Sequence, residues 1–428
     1  FSAFAVFIPA WFVLQPLGNE AYRADLLSAL LMAGAAALLA MRVVMATRRW
    51  PLGLVAGAVF ALTPVAWDAG LRADPHTLHV FLAALLLVLL GAWQAREQQE
   101  SGKGARWLVA AAVVFGLALG NHALTVLLAP GIAAYVLMVS PRILWRQTRT
   151  VLAAVAALLL TTVAVYLYLP LRAAMDPPIE YANPETWDGF WYVVLGEQFT
   201  GSYGGLPPLD NLLEGIGSQL VFELGPLVIV ALAGVILGLL RHPRLTILGL
   251  LWFGAAWLWA VGYPNAAIER YYLVPLLVSA LAVALAADAI WDALRDTLAR
   301  TGHSLAYRLA TAGLVVVLLA LALGPAVERY EDMDASDDTW GRQIVEATFE
   351  ALEPDAVLLS WWSFSTPLWY GQHVEGGRPD VTIIDDRDII DDGYGDLGGA
   401  VEAHLGKRPV YVVRLGHDVE ALRRDYLL

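Results

Sequence analysis

Apolar residues in this chain come in long runs separated by short polar loops. The runs fall at about Phe1–Leu14, Ala24–Ala46, Leu52–Trp67, Thr77–Trp93, Trp107–Leu119, Ala123–Val139, Val151–Leu171, Leu220–Leu240, Leu245–Val261, Tyr271–Ile290 and Leu309–Leu323. A helix needs about 20 apolar residues to cross the bilayer core, and the shorter runs leave their ends and tilts open. Lipid offers no partner to an unpaired backbone amide, so every span is expected to be helical. The pattern predicts an α-helical polytopic membrane protein with about 11 transmembrane helices.

The loops between the runs sort by charge. One alternating set holds Arg42, Arg48 and Arg49; Arg96, Lys103 and Arg106; Arg142, Arg146 and Arg149; Arg241 and Arg244; and Arg295, Arg300 and Arg308. The opposite loops, before the C-terminal segment, hold only Arg23, Arg72, Arg172 and Arg270. The positive-inside rule makes the first set cytoplasmic, and the parity of the spans then puts the C-terminal segment outside. This alternation counts against a large soluble helical protein, whose core has no reason to sort its basic loops.

The pattern changes near the end of the last run. Thr339–Leu352 reads as an amphipathic helix, Ala356–Ser360 as a buried strand, Thr366–His373 as a short helix, and Val381–Ile384 and Val410–Val413 as further strands. Strands alternating with helices predict a small α/β unit with a partly parallel sheet. The expected division is a transmembrane domain over 1–326 and an extracytoplasmic α/β domain over 327–428.

Composition agrees: 58% of residues are hydrophobic and mean hydropathy is +0.60. The formal net charge of −13 lies wholly from Glu328 onward. Such a domain is expected to bind neither nucleic acid nor anionic lipid tightly. The absence of cysteine excludes disulfides and thiolate metal sites. The first run has no charged region before it and does not read as an intact signal peptide, so the chain is expected to begin inside a helix, with further sequence upstream. Asp385, Asp386, Asp388, Asp391 and Asp392 form an acidic run. Hard cations take carboxylate oxygens, but the spacing lacks the Gly and terminal Glu of a calcium loop, so a solvated acidic loop is expected.

Candidate chemistry sits where polar residues meet the outer ends of the runs. In Trp67–His76, Asp74 and His76 offer a base and its partner, and Arg72 offers phosphate binding. Asp74 before Pro75 reads equally as a helix cap. Asn121 and His122 lie between two short runs, where a polar pair is costly unless partnered. The long loop from Leu171 to Ser218 carries Arg172, Asp176, Glu180, Asn183, Glu185, Asp188, Glu197 and Gln198, with Trp187, Phe190, Trp191 and Tyr192 as interfacial anchors. Tyr263-Pro264-Asn265 and Glu269-Arg270-Tyr271-Tyr272 open the tenth run. Arg270 there is unexplained by the positive-inside rule and fits either Glu269 or a lipid phosphate. Phosphate loops, Ser/His/Asp spacings and zinc motifs are absent from the sequence.

Several blocks carry a family resemblance: Gly18-Asn19-Glu20-Ala21-Tyr22-Arg23-Ala24-Asp25-Leu26-Leu27-Ser28-Ala29-Leu30; Ala73-Asp74-Pro75-His76-Thr77-Leu78; Gly116-Leu117 through Asn121-His122 to Pro130-Gly131; Tyr166 to Arg172, followed by Asn183-Pro184 and Thr186; and Tyr370-Gly371-Gln372, Val374-Glu375 and Arg378-Pro379-Asp380-Val381. In order and spacing the chain resembles the GT-C membrane glycosyltransferases of the protein O-mannosyltransferase type, those acting on plexin-type extracellular domains and their bacterial relatives. It departs at Asp25, usually Asn, and at Asp74-Pro75-His76, usually Glu-Val-Tyr. The resemblance implies a GT-C-like fold in a bacterial inner membrane. It also implies transfer of a mannose-like sugar from a polyprenyl-phosphate donor to an acceptor hydroxyl outside the cytoplasm, with inversion. The family's first outer loop carries the acidic motif whose carboxylate deprotonates the acceptor; that catalytic base is expected upstream of Phe1, and Asp74 matches the second acidic position, which supports the site. The implied catalytic residues are Asp74 and His76, and the implied substrate-binding residues are Arg23, Arg72, Asn121, His122, Arg172, Asn183 and Arg270. The lipid-linked sugar is the co-substrate, a divalent metal is left open with no ligand assigned, and the partners are membrane lipid and an acceptor protein or glycan. A non-catalytic lipid-binding subunit or scaffold of a surface complex is the alternative. A lipid-glycan transporter fits least, because charges inside the runs are nearly absent.

Overall fold

The computed structural model describes residues 17–428 except 203, 264–267, 301, 415, 425, 427 and 428. The first expected run, Phe1–Leu14, and the pair Pro264-Asn265 lie outside them. Every other expected run is helical. Glu20–Thr47, Pro75–Glu97, Thr148–Ala173, Pro243–Val261, Ile268–Ala299 and Ser304–Glu328 are each long and apolar enough to cross a membrane. Two further pairs pass the same test only as broken spans: Trp50–Ala61 with Pro64–Gly70, bent by 72°, and Leu209–Leu224 with Leu227–Arg241, bent by 111°. The described residues thus carry 6 such helices, or up to 8 if each bent pair is one span, beside the shorter Ala105–Asn121 and Ala123–Val139. The expected count of about 11 took short and broken helices as full spans, which length and composition alone do not establish. The expected straight run Leu220–Leu240 is interrupted at Gly225, whose φ is +53°, and Pro226, which has no N–H to continue the ladder.

The chain divides into two compact units, one reaching to Tyr168 and resuming over Gly196–Asp334, the other combining Leu169–Leu195 with Ala335–Leu428. In the first, Pro75–Glu97 packs between Glu20–Thr47 and Ala105–Asn121, and Leu273–Leu294 packs against Leu227–Arg241, Trp50–Ala61 and Pro243–Val261. Leu273–Leu294 is buried from Leu273 through Asp288. Lipid tails are as apolar as leucine, so such helices associate by close packing, which small residues permit. Gly53 faces the Ala40 carbonyl and Gly234 the Ala282 carbonyl so closely that a Cβ there would lie 2.7 Å and 1.8 Å from the oxygens. Thr148–Tyr166 buries none of its residues, as a helix bathed in lipid tolerates.

The second unit holds a parallel three-stranded sheet: β1 (Val357–Ser360) between β2 (Thr382–Ile384) and β3 (Val410–Val413), with Val357 level with Thr382 and Val410. Trp340–Ala351, Trp362–Trp369 and Leu397–His404 are its main helices. The acidic run is not a solvated loop. Asp385 caps the helix Asp386–Asp391, and Asp388 returns a bond to the Asp385 N–H at 2.9 Å, a capping box. Arg387 pairs with Asp391, and Arg414 with Asp386. The expected boundary at 326/327 kept the loop after Leu171 with the spans, whereas Leu169–Leu195 is compact with the sheet. The Ala182 N–H donates to Asp391 at 3.0 Å, and the Arg387 guanidinium lies 4.6 Å from the Tyr192 ring.

Two measurements follow from this packing. Gly234→Val is expected to destabilise the first unit by about 3 kcal/mol through overpacking, while Gly254→Ala, with open space around it, stays within about 1 kcal/mol; thermal unfolding in detergent separates them. In the second unit, a hydrogen bond with Glu185 pushes Glu180 up from 4.5 to about 7. Between those values the folded unit holds a proton that the unfolded chain releases, so its stability falls as pH rises through the window. Hydrogen exchange in Leu169–Leu195 of the full chain is expected to quicken across that range, and Glu180→Gln to flatten the dependence.

Candidate functional site

Chain direction puts the starts of Glu20–Thr47 and Pro75–Glu97, the end of Ala105–Asn121 and the turn Ile268–Tyr272 at one end of the bundle, opposite the basic loops. Asp74 is the hub there. It caps Pro75–Glu97, with Pro75 in the first turn where a missing N–H costs nothing. Its own N–H donates to Ser28 Oγ at 3.1 Å, tying it to Glu20–Thr47. Oδ1 accepts from the His76 N–H at 2.7 Å and lies 2.8 Å from His76 Nδ1. Oδ2 pairs with Arg270 Nη1 at 3.2 Å.

The carboxylate is 3% exposed. A buried charge is tolerated only when paired and hydrogen-bonded, and removing one partner leaves the remainder uncompensated. Because the Asp74 carboxylate accepts, Nδ1 of His76 carries a hydrogen and Nε2 is the ring nitrogen turned away from the acid. That Nε2 is buried and has no hydrogen-bond partner among the described residues. The Arg270 side chain is 34% exposed against 4% for Asp74, so a buried anion is matched by a cation that also reaches open space.

Aromatic and imidazole rings surround the pair. His76 lies 4.5 Å from His122 and 4.8 Å from Tyr271, centroid to centroid, and His79 lies 5.7 Å from His122. His122 ends Ala105–Asn121, and its Nδ1 accepts from the Leu124 N–H at 3.2 Å, leaving the hydrogen on Nε2. Thr125 donates to the Ala118 carbonyl at 2.8 Å and meets His79 Nδ1 at 3.1 Å. Asn121 donates to the Pro75 carbonyl at 3.0 Å, while its Oδ1 is buried without a partner.

Of the residues expected from the sequence, the structure therefore brings together Asp74, His76, Asn121, His122 and Arg270. Arg23 stands at the same end, buried, with Glu20 at 2.9 Å. Arg72 is exposed and pairs with Asp68 one turn away. Arg172 and Asn183 belong to the other unit; the Asn183 carbonyl accepts from the Thr186 N–H at 3.0 Å.

Sequence reading passed over His79, Ser28, Thr125 and Glu223. His79 follows His76 by three residues on a helix, so a shared face was legible in His-x-x-His. Glu223 was legible as an acid inside an apolar run. It is buried beside the 111° bend, accepting from the Val65 N–H at 3.2 Å and Gln219 at 3.0 Å. Ser28 and Thr125 carried no such signal. Among the described residues no three His, Cys, Asp or Glu side chains are arranged to hold a metal ion. Chemically, the cluster offers a carboxylate-oriented imidazole with a bare ring nitrogen and, beside it, a guanidinium suited to phosphate.

Comparison with known proteins bears on this arrangement. Residues 2–145 match the family model described as the protein O-mannosyl-transferase TMEM260 N-terminal domain. None of the curated proteins matches by sequence. Among solved structures, ArnT from Cupriavidus metallidurans, determined with undecaprenyl phosphate bound, superposes with a TM-score of 0.58 at 15% identity, over 97% of this chain and 83% of that one. The oligosaccharyltransferase of Archaeoglobus fulgidus superposes at 0.50 and 16% identity over 87% of this chain, which spans 55% of that longer protein. At these identities the likeness concerns the fold. The chain is thus an integral membrane protein with the fold seen in ArnT and in that oligosaccharyltransferase, and over residues 2–145 it is similar to the protein O-mannosyl-transferase TMEM260 N-terminal domain.

Proposed function

We propose that this protein transfers a sugar, mannose-like, from a polyprenyl-phosphate donor to an acceptor hydroxyl with inversion. The reaction takes place at the end of the bundle opposite the basic loops, which the positive-inside rule makes extracytoplasmic. In this reading the α/β unit lies on that same side of a bacterial inner membrane. The observation that carries the proposal is the buried Asp74 bridging His76 and a partly open Arg270. The family model's described activity and the undecaprenyl phosphate in the ArnT structure support a lipid-linked donor and a protein or glycan acceptor.

The chemistry divides among these residues as follows. The acceptor oxygen bonds to the anomeric carbon while the bond from that carbon to the phosphate oxygen breaks, and the lipid phosphate leaves with the electron pair. Arg270 meets the charge that grows on the phosphate, an electrostatic contribution made without reorganisation. His76 Nε2 takes the acceptor's proton, and Asp74 holds the ring in the right tautomer and stabilises the imidazolium. Asn121 and His122 serve the donor sugar or phosphate, the one with its unpartnered Oδ1 and the other with its Nε2–H. Arg23, buried at the same end, and Arg72 are further candidates for binding substrate; Arg172 and Asn183, in the other unit, are candidates from the sequence resemblance alone.

The test offers the full-length protein labelled polyprenyl-phosphate mannose and glucose in liposomes, with a membrane extract as acceptor. Asp74→Asn keeps a side-chain oxygen for the helix cap, so folding is expected to persist while transfer falls by at least about 10²-fold. Arg270→Ala is expected to lower turnover by about 10²–10³-fold. Wild-type rates in both variants remove these residues from the site. Donor binding with neither transfer nor hydrolysis would identify a non-catalytic lipid-binding subunit instead.

A further inference from the structure

The other end of the bundle carries a polar assembly that the proposed transfer does not use. Asp288 and Asp292 stand on the last turns of Leu273–Leu294. Arg49, from the turn after Glu20–Thr47, pairs with Asp288 and reaches Asp292 at 2.5 Å. Arg241 pairs with Asp292 and lies 3.6 Å from Asp288. His242 Nε2 lies 3.4 Å from Asp288, and Arg295 lies 3.1 Å from Asp292. These six residues line an open cleft of about 430 Å³.

The charges do not balance. Arg49, Arg241 and Arg295 outnumber Asp288 and Asp292 before His242 is counted. Widening the set to Asp296, which Arg295 and Arg300 share, leaves the same surplus of one cation. The charges are also layered. The carboxylates form the floor, at 5% and 17% side-chain exposure, and Arg241 and Arg295 form the rim at 35% and 44%. An assembly serving only to fasten helix ends has no need to hold its surplus at the open face.

We propose that this cleft binds the phosphodiester headgroup of an anionic membrane lipid. The ligand chemistry is a singly charged phosphate, which two rim guanidinium groups can grip through parallel N–H bonds. Lipid is favoured over a soluble anion because the cleft is built from the ends of membrane-spanning helices, Glu20–Thr47, Pro243–Val261 and Ile268–Ala299. Headgroups lie at that level, and basic pockets between spans on the cytoplasmic side are where such lipids dock.

The test is native mass spectrometry of the full chain in neutral detergent, titrated with phosphatidylglycerol, phosphatidylcholine or inorganic phosphate. Phosphatidylglycerol is expected to be retained while the other two are not, and inorganic phosphate at equal concentration is expected to leave it in place. Arg241→Ala and Arg295→Ala should each weaken phosphatidylglycerol about fivefold. Asp296→Asn, half-exposed and outside the cleft floor, should strengthen it, a gain that misfolding does not produce. Equal retention of phosphatidylcholine, indifference to all three substitutions, or displacement by inorganic phosphate would overturn the lipid site.

Discussion

Lipid satisfies no backbone hydrogen bond and solvates no charge, and the rest of this structure depends on that constraint. The membrane part must be helical, and its polar side chains are driven to the helix ends, where water or a partner can meet them. Charged residues that stay buried do so under specific terms. Asp74 has three partners of its own, and Glu223 accepts from the start of a neighbouring helix. Asp288 sits under two arginines and a histidine. Between the ends the helices meet closely at Gly53, Gly116 and Gly234.

The two ends solve the buried-carboxylate problem in opposite ways. At Asp74 a single acid is held by partners from separate elements: Ser28, one helix away, accepts from its N–H, while its carboxylate meets Arg270, from a turn far along the chain, and the local His76. Beside it His76 Nε2 and Asn121 Oδ1 are buried without a hydrogen-bond partner among the described residues, so the network does not close on itself. At Asp288 and Asp292 the acids are saturated and the surplus is cationic. One end gathers its donors around a single buried acid, and the other leaves an excess of guanidinium groups at its open face.

The α/β unit follows soluble rules. Its four-residue central strand is fully buried, its neighbours run parallel on both sides, and its acidic surface is organised into a capped helix. The Arg387–Asp391 pair there does two jobs. It completes one helical turn and offers Asp391 to the Ala182 N–H, so that Leu169–Leu195 is compact with the sheet.

Most of the architecture was legible in the sequence because its cause is local. An apolar run in lipid has one stable conformation, so the helices followed from hydropathy, and strand β3 at Val410–Val413 followed from β-branched residues between turn signals. Asp74, His76, Asn121, His122 and Arg270 were each visible as polar residues at the ends of apolar runs. Their meeting was not, because Arg270 lies 196 positions from Asp74 in the chain and no local periodicity encodes that distance. Broken helices were misread for a related reason. Hydropathy is blind to direction, so the bend at Gly225–Pro226 looked like the middle of a span. Sequence by itself determined where this chain is greasy, where it is charged and which residues were candidates for chemistry. Only tertiary structure decided which candidates share a site, because burial and pairing of a charge depend on what the fold brings beside it.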